Sequence, residues 1–437
     1  MTIRLWCSLL AATLWVAPLS AQTLDLVEAY QAALANDAQV AAARAQLEAT
    51  RERIPQARAL QLPAASASAA ASRQHVDTDV APSRDFSPLS FGVSLSYPLY
   101  RPVNAVTLQQ SRLQVGIAEL QYAQAEQDLA VRVAQAYFNV LAALDTLDTV
   151  LTQGRAIAEQ FEAAKRQFEV GTATITDQQE AQARLDLVRA QEVGARNELA
   201  VRRAALEQLV GQPVNRLASL RPGLALTPPQ PVDEDAWTST ARQRSYPVRQ
   251  AELATEVSRQ EIQRARLGNY PTVDLVTSVQ RAHSGTLATV GVRSTSTAVG
   301  VQLSVPLYTG GAIESRVREA IALENRAHHD LTTARRAAEQ TARQAFLGVN
   351  SGLQQVRALE AAERSSQLAL ESNLLGYQVG VRINIDVLNA QQQLFTTRRD
   401  LARARYDVLI NSLVLKAAAG DLGPQDLTSI NALLTAL

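Results

Sequence analysis

The chain has 437 residues but one Cys, one Met, two Lys (Lys165 and Lys416) and only 5% aromatic residues, and its 42 basic side chains are balanced by 42 acidic ones. Each shortage excludes something. A single Cys can form neither an intrachain disulfide nor a Cys-based zinc site. Zero net charge leaves no surplus of cations to displace counterions, so nucleic acid is not an expected partner. No stretch beyond the N-terminal region reaches ~18 consecutive apolar residues, which excludes a transmembrane helix. If the chain sits in a membrane, it does so as a β-barrel. Enzyme signatures are missing too, with no G-x-S-x-G and no Gly-rich loop followed by Lys. His328 and His329 are adjacent in a helical stretch, where neighbours do not share a face, and His75 and His283 fall near strand tips. No catalysis, cofactor or metal is expected.

The first 21 residues read as a signal peptide, with Arg4, an apolar run from Leu5 to Val16, and Leu19-Ser20-Ala21 at the expected cut. Cys7 lacks a lipobox, so lipidation is not expected. The mature protein is expected to begin near Gln22 and to have crossed a membrane.

What remains is one unit written twice. Pro63 matches Pro271, Pro98-Leu99-Tyr100 matches Pro306-Leu307-Tyr308, and Phe138 matches Phe346. After a one-residue slip, Gly171 matches Gly380, Asp177 matches Asp386, Gln182 matches Gln391, Arg189 matches Arg398, Arg196 matches Arg405 and Gly211 matches Gly420. The repeats are expected at 22–211 and 232–420, joined by a Pro-rich connector at 212–231 and followed by a tail at 421–437. Each repeat reads as short helices (Leu24 to Leu34 and Ala38 to Leu60; Asp235 to Gln243 and Val248 to Leu267), then two strands, then two long helices. The strands are expected at about 63–75 and 87–98, and at about 270–283 and 296–306. Leu89, Phe91, Val93, Leu95 and Tyr97 alternate with Ser90, Gly92, Ser94 and Ser96, and Val299, Val301, Leu303 and Val305 alternate with Gly300, Gln302 and Ser304. This period of two puts large apolar groups on one face and small or polar ones on the other, and about ten residues suits a tilted transmembrane strand. An ordinary hairpin on a soluble helical protein is the competing reading.

The long helices are expected at about 103–169 and 174–210, and at about 312–378 and 384–419. Val133, Tyr137, Val140, Leu144, Leu147 and Leu151 step by fours and threes as a coiled-coil seam, resumed at Ile157, Phe161, Ala164 and Phe168. At 1.5 Å per residue the longest helices reach roughly 100 Å, too long for one globule. Four strands cannot close a barrel, and open edges are not tolerated in lipid. Two chains give eight strands and three give twelve, and only the wider barrel leaves a channel. The fold class is therefore mainly α with a small β part: a duplicated unit forming a long coiled-coil α-helical barrel, plus a transmembrane β-barrel shared by three chains.

The segment Phe168-Glu169-Val170-Gly171-Thr172-Ala173-Thr174-Ile175-Thr176-Asp177, followed by Gln182 and Arg184, resembles the helix-turn-helix signature of the TolC-type outer-membrane efflux protein (outer membrane factor) family. So do Tyr377-Gln378-Val379-Gly380-Val381-Arg382 with Ile385 to Gln391, Ala404 to Asn411, and Ala136 to Leu141. The resemblance covers essentially the whole mature chain. It implies a homotrimer in outer-membrane lipid with a periplasmic tunnel, a passive exit duct for drug efflux or type I secretion. The implied partners are a periplasmic adaptor and an inner-membrane pump of RND, ABC or MFS type. It implies adaptor docking at the tip turns, Gly171, Thr172, Gly380 and Val381. It also implies a gate at the periplasmic tip, in which Tyr377 and Arg382 bond across to the position of Asp177. Asp386 matches the first of two acidic rings in the family; the second position is Asn389 here, which leaves one ring. Read from the residues alone, Asp177 and Asp386 are equally helix caps and Arg382 a solvated turn residue. A secreted coiled-coil filament and a periplasmic adaptor are the competing functions; the alternating strands argue against the first and the duplication against the second.

Overall fold

The computed structural model describes residues 23–79, 81–221, 223–284 and 286–435; the expected signal peptide lies outside them. The first repeat runs α1 (Leu26–Asn36), α2 (Ala38–Arg51), α3 (Arg53–Ala59), β1 (Ala64–Ala71), β2 (Gln74–Thr78), β3 (Ala81–Phe86), β4 (Leu89–Tyr100), α4 (Pro102–Glu169) and α5 (Ile175–Val210). After β5 (Ser219–Leu220) the second runs α6 (Glu234–Arg244), α7 (Tyr246–Arg266), β6 (Thr272–His283), β7 (Arg293–Ser304), α8 (Ala312–Gln378) and α9 (Asn384–Ala419). The chain closes with α10 (Pro424–Asn431) and β8 (Leu434–Thr435).

Local chemistry sets these bounds. Asp25 opens α1 with a capping box to Glu28, and Asp37 caps α2 through the Val40 amide. The stretch Ala38 to Leu60, expected as one helix, divides at Glu52. Pro55 explains the break: its ring meets the carbonyl of the residue four earlier, Arg51, where α2 stops. Pro102 starts α4 at the position where its missing N–H costs nothing. Gly420 ends α9 at φ 73, where an added Cβ would lie 2.6 Å from the Arg244 carbonyl oxygen.

The four long strands form one antiparallel sheet ordered β1-β4-β6-β7. Its register sorts the faces. One carries Ala65, Ala67 and Ala69, then Phe91, Val93 and Leu95, then Val279, Thr277 and Leu275, then Val299 and Val301. The other carries Ser66 and Ser68, then Gly92, Ser94 and Ser96, then Gln280 and Ser278, then Ser296 and Gly300. Across that polar face the Ser66 and Ser94 hydroxyls lie 2.8 Å apart. β1 and β7 are edges, and all twelve residues of β7 are exposed. The first strand, expected over about 63–75, stops at Ala71, because Gln74 turns away to pair with Phe86 in the separate β2–β3 hairpin.

α4 and α5 form one long hairpin and α8 and α9 another, with α4 packed against α9. The 68 residues of α4 extend ~100 Å. The region read as an irregular connector supplies β5, which pairs with β8 in the tail, while Leu217 bridges Leu24. N-terminal segment, joint and tail thus gather around the middle of α4. There the Tyr137 hydroxyl donates to the Leu24 carbonyl at 3.1 Å and the Ala218 carbonyl at 2.8 Å. Phe138 stacks on Tyr406 at 5.7 Å, and the Tyr406 hydroxyl donates to Asp145 at 2.7 Å. Among the described residues no helix is long and apolar enough to cross a membrane.

Candidate functional site at the hairpin tips

The ends of the two hairpins bring every resemblance-derived gate residue into one region. Both turns are built alike. α4 ends with Gly171 at φ 80, and the Thr172 amide donates to the Gln167 carbonyl at 2.8 Å. α8 ends with Gly380 at φ 78, and the Val381 amide donates to the Gly376 carbonyl at 2.8 Å. Both are C′ glycines in left-handed geometry. A Cβ at either would meet nothing within 4 Å, so only the backbone angle calls for glycine. The turns present bare apolar side chains to solvent: Val170 is 73% exposed, Val379 66% and Val381 78%.

α5 begins with a capping box. The Thr174 hydroxyl accepts from the Asp177 amide, and the Asp177 carboxylate accepts from the Thr174 amide at 3.0 Å and hydroxyl at 2.7 Å. Asp177 is thus a helix-start residue in this chain, as its position at N3 dictates. Asp386 occupies the first turn of α9 but makes no such box, since Ile383 is the N-cap. It instead accepts from Arg382 Nη1 at 3.5 Å, one turn away. Tyr377, half-buried, donates its hydroxyl to Gln167 Oε1 at 2.5 Å. Burial, and then the negative charge of Asp177, push the Tyr377 phenol above its ordinary range, while the Gln167 contact pulls the other way. Asn389 Oδ1 accepts from Arg184 Nη2 at 2.9 Å, so the position lacking the second carboxylate is tied to the other hairpin. Within one chain, then, the bonds of Tyr377 and Arg382 run to Gln167 and Asp386; neither reaches the Asp177 carboxylate.

The residues that join the hairpins were not singled out from the sequence. Gln153 donates to Gln392 at 2.7 Å, Gln160 donates to Asn384 at 2.7 Å, and Gln167 accepts from Tyr377. Asn384 is fully buried and also reaches the Asp177 carbonyl at 3.4 Å. Gln153, Gln160 and Gln167 recur every seventh residue of α4, a heptad-spaced polar row beside the apolar seam. That spacing was available to find them. The second hairpin has different staples: Arg398 donates to Glu363 at 3.0 Å and Arg405 to Glu360 at 2.9 Å, from α9 to α8. Their counterparts in the first repeat, Arg189 and Arg196, pair within α5 with Asp186 and Glu192.

A sheet apolar on one face and lined with Ser and Gly on the other, continued by helical hairpins of such length, defines a subunit of an outer-membrane channel. The chain belongs to the outer membrane efflux protein family, whose sequence profile matches residues 29–212 and 237–421. It is 33% identical over 411 residues to the outer membrane protein TolC of Vibrio cholerae serotype O1, covering 93% of each chain. It is 31% identical over 438 residues to the alkaline protease secretion protein AprF of Pseudomonas aeruginosa, covering 98% of this chain and 91% of that one. The fold matches the CmeC outer membrane channel of Campylobacter jejuni at a TM-score of 0.79 and 18% identity, over 93% of this chain and 89% of that one. It matches the outer membrane protein VceC of Vibrio cholerae at 0.77 and 21%, over 90% and 96%. The protein is an outer-membrane efflux or secretion channel with a long periplasmic helical extension.

Proposed function

We propose that three copies of the chain close head to tail into one twelve-stranded barrel and one twelve-helix tunnel. The trimer is a passive exit duct for drug efflux, type I protein secretion or both. The observation that carries this reading is the sheet itself: one lipid-compatible face and two unpaired edges, β1 and β7. Edges left open in lipid strand several polar groups at several kcal/mol each. A heterologous pairing of β7 with the next chain's β1 removes them and closes as a ring. Apolar residues exposed on α5 (Leu187, Val193, Val201) and on α8 (Leu323, Leu347, Leu368) support the same pairing further down.

The tip is the gate. Asp177, Tyr377, Arg382, Asp386 and Asn389 line it, and the contacts of Tyr377 with Gln167, Asn384 with Gln160 and Asn389 with Arg184 tie one hairpin to the other and hold it closed. Gly171, Thr172, Gly380 and Val381, flanked by exposed Val170 and Val379, offer an apolar docking rim to a periplasmic adaptor, which an inner-membrane pump of RND, ABC or MFS type would serve. Membership of the outer membrane efflux protein family supports efflux, and likeness to the alkaline protease secretion protein AprF supports secretion. Light scattering of the detergent-purified protein should give the mass of three chains; a monodisperse monomer would end the reading. Deletion with a panel of antibiotics and an assay of secreted proteins then separates efflux from secretion.

A further inference from the structure

The apolar face of the sheet changes character at its far end. The helices join the other end, through Ala64, Tyr100, Thr272 and Ser304, so Ala71, Leu89, His283 and Arg293 mark the end remote from the tunnel. On that face Phe91 lies opposite Arg281, and Arg281 opposite Thr295. One layer further out, Leu89 lies opposite His283, and His283 opposite Arg293. Arg281 and Arg293 are therefore diagonal neighbours on adjacent strands, ~7–8 Å apart. Both are exposed. Among the described residues neither guanidinium has a hydrogen-bond or ion-pair partner, and the strands carry no carboxylate on this face. Asp85, in the adjoining β2–β3 hairpin, is engaged with His75 at 2.8 Å.

The height of this pair matters. Eight residues separate Arg281 from Val273 along β6. At ~3.4 Å per residue and a tilt of ~40°, that is roughly 20 Å of membrane, close to the apolar band of an outer-membrane barrel. Arg281 stands at the outer rim of the band and Arg293 just beyond it. Two unpaired cations on adjacent positions repel each other. An anion between them removes the repulsion, and the guanidinium fork matches phosphate oxygens two at a time.

We propose that Arg281 and Arg293 clamp a phosphate of a phosphorylated glycolipid of the outer leaflet, whose acyl chains lie on Phe91, Val93, Val279 and Val299 below. This rests on the reading of the sheet as a lipid-facing barrel wall. The site anchors the barrel at a fixed depth by a specific headgroup contact in addition to apolar fit.

The test uses the full-length trimer in detergent and native mass spectrometry, with added diphosphorylated glucosamine lipid (lipid A), the same lipid after phosphatase treatment, and phosphatidylglycerol. The parent should keep lipid A adducts at least tenfold more than either of the other two. Arg281→Gln with Arg293→Gln should lose that tenfold preference, and Arg281→Lys with Arg293→Lys should keep part of it. Equal retention of lipid A and its dephosphorylated form by the parent overturns the clamp, and that arm needs no variant to fold. Equal retention of phosphatidylglycerol overturns the choice of glycolipid, and an undiminished Gln variant overturns the choice of residues. A protein that forms trimers and enters membranes but shows no phosphate preference refutes the clamp alone; one that does not partition into membranes refutes the barrel as well.

Discussion

Replacing Tyr377 by Phe and Arg382 by Ser removes two contacts that differ in kind. The Tyr377 hydroxyl makes a half-buried neutral hydrogen bond to Gln167, of the sort that contributes ~0.5–1.5 kcal/mol net. The Arg382–Asp386 contact is long and lies within one hairpin, so it survives when the two hairpins part and adds nothing to the closed state. The hydroxyl contact gives about 0.5–1.5 kcal/mol per chain and roughly 2–5 kcal/mol for three chains of the proposed trimer moving as one. Near the middle of that range, ~3 kcal/mol, the ratio of open to closed channels rises about 150-fold. A complete reversal from 1:99 to 99:1 takes ~5.5 kcal/mol. The double variant should therefore spend a large share of its time open without any partner. Single-channel recording in planar bilayers reads this directly: the parent should show low conductance and the variant a several-fold higher level. Conductance equal to the parent's, in a variant that still forms trimers, would refute the gate assignment.

Three further outcomes follow from the same structure. Asn384→Ala strands the buried side-chain amide of Gln160, at a cost of ~1–3 kcal/mol, and should raise conductance in the same bilayer assay although Asn384 carries no charge. Gly420→Ala should lower the thermal stability of the protein more than Gly171→Ala. Both sit at positive φ, at ~1–2 kcal/mol for a Cβ, but only at Gly420 does that Cβ also strike backbone, so a calorimetric scan of the two should rank them clearly. Asp145→Asn should not destabilise the protein at pH 7. Burial holds the Asp145 carboxyl above its ordinary range despite the Tyr406 donor, so the folded state keeps its proton longer than the unfolded state does. That group's contribution to stability is fullest below its unfolded pKa and falls as pH rises through the folded one. The amide should equal or exceed the parent in thermal melts at pH 7 and lose that margin near pH 4; a variant less stable at pH 7 would overturn the reasoning.

The strand faces were readable because Phe91, Val93 and Leu95, and again Val299, Val301 and Leu303, alternate with small or polar residues under a constraint imposed by lipid on one side. β1 was harder to bound. Its Ala-Ser run offers no large apolar residue to keep the period, so nothing in the sequence marks Ala71 as its end. Long helices were legible through their punctuation: Pro102 at one start, and Gly171, Gly211, Gly380 and Gly420 just past four ends. The break between α2 and α3 is also written in the sequence, in Pro55, although the apolar spacing of Leu47, Ile54 and Ala57 runs on through it. The pairing of β5 with β8 was not legible at all. Two-residue strands have no period, and the partners lie more than 200 residues apart, as the Thr435–Ser219 contact across 216 positions shows.

At the tip, local and relational information separate in the same way. Gly171, Gly380 and the Asp177 cap follow from the needs of a helix end and could be placed without any relative. Tyr377 and Arg382 could not, since nothing in a tyrosine or an arginine near a turn says which hairpin it faces, and Asp386, expected to cap like Asp177, makes no box because Ile383 takes the N-cap. The glutamine row at Gln153, Gln160 and Gln167 falls between the two: its heptad spacing is visible, but only the structure shows that its partners are Gln392, Asn384 and Tyr377. The two repeats of one unit also differ in how their hairpins are bonded. In the second hairpin the repeat-equivalent arginines staple α9 to α8, whereas in the first they pair along α5. α8 and α9 are thus bound to each other by charge-assisted contacts, the stronger kind, while the join to α4 is made at these positions by neutral amides. Because Gln153, Gln160 and Asn384 are buried, breaking any one of these contacts strands a polar group at ~1–3 kcal/mol, so the seam between the hairpins is held by burial of its amides and not by charge.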